Sequence, residues 1–139
     1  MSNSENIKIF NDAVSKIFTL LYEDFPSPMD LGPDHFSITS DLGGIPTWQD
    51  SDWEPIFHTL IWLTQEGYIR THGYSHGICQ GAVLTQKGLA VLRSIPDSVS
   101  GTAPIGEQLS SAVTSGAKDV ARGLVEQALS AGIKIILGQ

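Results

Sequence analysis

The sequence predicts an α+β fold, mostly helical, and three observations predict it. Apolar residues recur at steps of three and four near both ends and in the middle of the chain. Two short β-prone runs flank a stretch rich in glycine and histidine. The 139 residues are 41% hydrophobic and 17% charged, the composition of a globular chain with fewer charges than usual.

The first helix is expected from about Ser4 to Tyr22. Ile7, Phe10, Val14, Ile17, Phe18 and Leu21 form its apolar face, Ser4 caps it, and Phe25-Pro26 stops it. From Glu23 to Asp50, prolines and glycines punctuate the chain too often for a long element. A short helical turn around Pro33 to Phe36 suits that texture, because proline fits a first turn. A second strong helix starts near Ser51, where Ser51 and Glu54 have capping-box spacing and Pro55 stands in the first turn. Trp53, Ile56, Phe57, Leu60, Ile61 and Leu63 give it a broad apolar face, and Glu66-Gly67 closes it with a left-handed glycine.

Tyr68 to Thr71 and Ala82 to Leu84 read as the strands of a hairpin with a long tip over His72 to Gly81. Thr85 caps a helix from Gln86 to Ser94 that turns Leu89 and Leu92 inward, and Pro96 ends it. Residues 96–104 have the composition of a linker. The tail, residues 105–139, is expected as one helix carrying the stripe Leu109, Val113, Gly116, Val120, Leu124 and Ile135. A stripe of that kind needs cover, and a second copy of the chain is the cover expected, making the tail the dimerisation element of a homodimer, with packing on its own domain as the alternative.

Two motifs carry a resemblance. Leu60-Ile61-Trp62-Leu63-Thr64-Gln65-Glu66-Gly67-Tyr68-Ile69-Arg70 resembles the passage from the third helix into the wing of winged-helix proteins. Leu84-Thr85-Gln86-Lys87-Gly88-Leu89-Ala90-Val91-Leu92 is similar to the L-T-x-x-G-x-x-x-L that follows the wing in many such regulators. The leucine ends a strand, the threonine caps a helix, and the glycine lets that helix pass close to its neighbour. The resemblance implies a winged-helix-like core over residues 1–95, three helices with a β-hairpin wing and a further helix, followed by the C-terminal helix. It implies little about function, because fold does not fix function.

Charge argues against the usual role of that fold. A DNA-reading winged helix lays its third helix in the major groove and sets basic residues on phosphates. Here that helix, Asp52 to Glu66, has no lysine or arginine, and none occurs from Ile17 through Ile69. Nine carboxylates occupy the same span within a net charge of -7, so nucleic acid is not expected on the third helix. An acidic face suits a basic protein partner instead, with Asp30, Asp34, Asp41, Asp50, Asp52, Glu54 and a partly exposed Trp62 as its docking residues. One alternative is a DNA-binding regulator that uses the wing through Arg70, His72, His76 and Lys87; another is an acidic inhibitor that imitates DNA.

His72, His76 and Cys79 supply three donors to a zinc site that needs four, and no fourth lies nearby. A nucleophilic Cys79 needs an imidazole and a pocket held in fixed geometry, which a hairpin tip provides poorly. No catalytic, metal or cofactor residues are therefore expected, and the reading is of a non-enzymatic interaction module. No stretch has the apolar length of a membrane span, no signal peptide stands at the N-terminus, and a single cysteine makes the cytoplasm the expected compartment.

Overall fold

In the computed structural model the described residues are 2–36, 52–95 and 103–138, with side chains described over 5–36, 52–95 and 103–134. Helix α1 spans Ser2–Asp24 and presents Val14, Ile17, Phe18 and Leu21 to the core, each fully covered. Ile7, expected on that face, is instead 54% exposed. Residues 5–9 are each exposed, so the start of α1 lies at the surface and inward periodicity there does not bring full burial.

Strand β1 (Met29–Leu31) and a 3-10 turn (Pro33–Phe36) follow, the turn as the sequence predicts and the strand as an addition to it. Helix α2 spans Glu54–Gln65. Pro55 does sit in its first turn, but Trp53 occupies the cap position without a side-chain cap bond, and Ser51 of the expected capping box lies outside the described residues. Gly67 closes the helix at φ +86, the left-handed geometry that glycine adopts without strain.

Strands β2 (Ile69–Arg70), β3 (Gly73–Ser75) and β4 (Ile78–Leu84) complete an antiparallel sheet in which β4 is central. β1 pairs one edge of β4, while β2 and β3 pair the other in succession, Ile69 opposite Leu84 and Tyr74 opposite Cys79. The long tip expected over His72 to Gly81 is thus mostly strand. A two-residue turn at His76 and Gly77, both with positive φ, closes it because that backbone follows the twist of the flanking strands.

Helix α3 spans Gln86–Arg93 and starts as expected, the Thr85 hydroxyl accepting from the Gly88 amide at 3.1 Å. The tail differs from expectation. It forms two helices, α4 (Ile105–Ser115) and α5 (Lys118–Gly138), separated by Gly116 at φ +79. Both pack on the body: α5 lies on α1, α3 and α4, and α4 lies on α1 and α3. Ile105, Leu109, Ala112, Ala121, Leu124, Val125 and Ala128 join the same buried cluster as Val14, Leu60, Leu63 and Leu84. Leu109 and Leu124, expected at a dimer interface, are therefore covered inside the chain. Val113 is half-buried, Gly116 and Val120 are exposed, and the Ile135 side chain lies outside the described ones. Of the linker, Ala103 and Pro104 are described, and the Ile105 amide bonds the Ser94 carbonyl at 2.8 Å, which returns the chain to the end of α3.

The fold is therefore α+β and mostly helical, with five α-helices around a small four-stranded antiparallel sheet among the described residues.

Candidate interaction surface

Helix α2 organises the surface because its two sides differ chemically. On the inner side Leu60 and Leu63 are fully buried, and the Thr59 hydroxyl returns its proton to the Pro55 carbonyl at 2.8 Å. Trp53, also fully buried, donates its indole N–H to the Gly77 carbonyl at 2.8 Å, which ties the start of α2 to the β3–β4 turn. Its ring lies 5.5 Å from Phe36 and 6.3 Å from Phe57. Phe57 meets Tyr74 edge-on at 5.4 Å, and the Tyr74 and Thr64 hydroxyls share a 2.6 Å hydrogen bond.

The outer side carries Glu54, His58, Trp62, Gln65 and Glu66, all exposed and without a lysine or arginine among them. Trp62 is 37% exposed, as its place in the sequence predicts. It meets Phe10 edge-on at 5.1 Å and stacks on Tyr68 at 6.3 Å. Its orientation is thus held by two rings, the rigid presentation that lets an aromatic act as an anchor.

The acidic residues divide. Asp34 and Asp52 flank the Phe36–Trp53 contact, so the 3-10 turn and the start of α2 bring these two carboxylates onto neighbouring segments. Asp34 faces its neighbour His35 at 3.6 Å, whereas Asp52 and Glu54 are exposed without an ion pair among the described residues. Asp30 has a structural bond: its carboxylate accepts from the Gly81 amide at 2.8 Å and fixes β1 to β4. Asp41 and Asp50 lie outside the described residues. Beside Asp52 a cleft of about 500 Å³ runs between α1 and α2, lined by Ile9, Ala13, Phe36 and Ile56 and by the charged Asp12 and Lys16.

The wing residues do not converge. Arg70, His72 and His76 are exposed, and the His72 ring lies over Gly81 while His76 Nδ1 meets the Ser75 hydroxyl at 2.9 Å. Lys87, expected as a wing contact, turns back to α2. Its ammonium donates to the Glu66 carbonyl at 2.8 Å and stands 4.3 Å from the centre of the Tyr68 ring. Cys79 is fully buried, 3.5 Å from the Thr71 hydroxyl, and burial pushes its thiol above the ordinary 9.0. A thiol held neutral in this way is a poor nucleophile. Among the described residues no three His, Cys, Asp or Glu side chains stand close enough to hold a metal ion, and no helix is long and apolar enough to cross a membrane.

Sequence reasoning misses the polar bonds that set α5 on α1. The Arg122 guanidinium grips Asp12 through both carboxylate oxygens, Nε at 2.8 Å and Nη2 at 3.0 Å, and the Asn11 amide donates to Glu126 at 3.4 Å. The residues of each pair stand more than a hundred positions apart, so no local spacing announces them.

Compared with protein-family models, curated proteins and solved structures, the chain matches none.

Proposed function

We propose that this protein is a non-enzymatic, winged-helix-like interaction module whose acidic surface docks a basic protein partner. The observation that carries the reading is the outer side of α2 and the turn beside it, where Asp34, Asp52, Glu54 and Glu66 are exposed and neither segment contributes a lysine or arginine. Lys16 and Lys87 reach its margins from other helices. In a winged helix this is the position that faces DNA, and carboxylates there repel phosphates while steering cationic proteins. The attachment of Lys87 to the end of α2 also weakens the alternative of DNA binding through the wing, where Arg70 and Arg93 are the other cations.

The test is a charge reversal. Asp34→Lys with Asp52→Lys should abolish salt-sensitive capture of basic proteins from extract and leave the melting temperature nearly unchanged, since exposed substitutions usually alter stability by less than about 0.5 kcal/mol. Duplex DNA should stay unbound at roughly 0.15 M salt, where screening acts over about 8 Å. A DNA complex tighter than about micromolar, weakened by Arg70→Ala, would replace this reading with the wing-mediated regulator.

A further inference from the structure

We draw no further inference here: the strongest candidate, the cleft between α1 and α2 lined by Phe36, Ile56, Lys16 and Asp52, adjoins both ends of residues 37–51, which lie outside the described residues, and nothing in the structure shows what covers it.

Discussion

Two glycines show how one added methyl group has opposite effects at different places. A Cβ on Gly88 would come within 2.1 Å of the Tyr68 carbonyl oxygen, a backbone atom that cannot turn aside. Gly88→Ala must push α3 off the sheet and should lower stability by about 1–3 kcal/mol, read as a fall in melting temperature. Gly123, inside α5, has nothing within 4 Å of the same position, so Gly123→Ala should raise stability by about 0.5–1 kcal/mol through its helix preference. Trp53 is a third point of dependence. Trp53→Phe keeps a ring in the core but removes the donor from the Gly77 carbonyl, which should cost about 1–3 kcal/mol in denaturant titration. Burial also shifts three ionisable groups in one direction. It raises the Cys79 thiol above 9.0 and the Tyr68 and Tyr74 hydroxyls above 10.0, burial being the largest cause in each case. All three favour the protonated form more in the folded chain than in the unfolded one. Their contribution is complete below about pH 9 and is lost as pH climbs through the raised folded values. Melting temperatures should therefore fall above that point, and Cys79→Ala should delay the start of the fall toward the tyrosine range.

At the scale of elements, the joint between β4 and α3 was fully legible. Leu84 ends a strand, Thr85 caps a helix, and Gly88 permits close approach, all within five residues and governed by local backbone rules. The turn at Pro33 and the left-handed Gly67 were legible for the same reason. The hairpin tip was not, because His76 at positive φ is set by the pairing of β3 with β4 rather than by its own preference. The tail was half legible. Its periodicity announced helices and an apolar stripe, yet a stripe states only that cover is needed. The structure supplies that cover from α1 and α3. Leu109→Ala should consequently destabilise the chain itself by about 2–5 kcal/mol, as a fully buried leucine does. Removing residues 105–138 should leave the α1 face bare and give an unfolded or aggregated product, seen by circular dichroism and light scattering.

At the scale of the whole molecule, charge is segregated. Residues 17–69 hold nine carboxylates and no lysine or arginine, while five of the eight lysines and arginines lie on α1 and α5. The acidic part includes α2, and the part where cations offset the acids is the α1–α5 pair beside it. This division underlies the proposed function, because carboxylates around Asp34 and Asp52 suit a basic partner. Of the acidic docking residues, the sequence identified their type and their crowding. Their neighbourhood came from elsewhere, from the contact of Phe36 with Trp53, and Asp30 proved to be a bond between strands.

By itself the sequence determined the class of fold, the bounds of α2 and α3 to within a few residues, the partial exposure of Trp62, and the sign of the surface. Each of these follows from neighbours in the chain: helical period, capping, turn geometry, or a count of charges. Only the tertiary structure decided which apolar stripe is core and which patch stays outside. Arg122 finds Asp12 across 110 positions, and that bond, with the packing of Leu109, Leu124 and Val125, turns the tail inward. The physical reason is that periodicity makes a helix amphipathic without naming what it packs against, and that choice belongs to the packing of the whole chain.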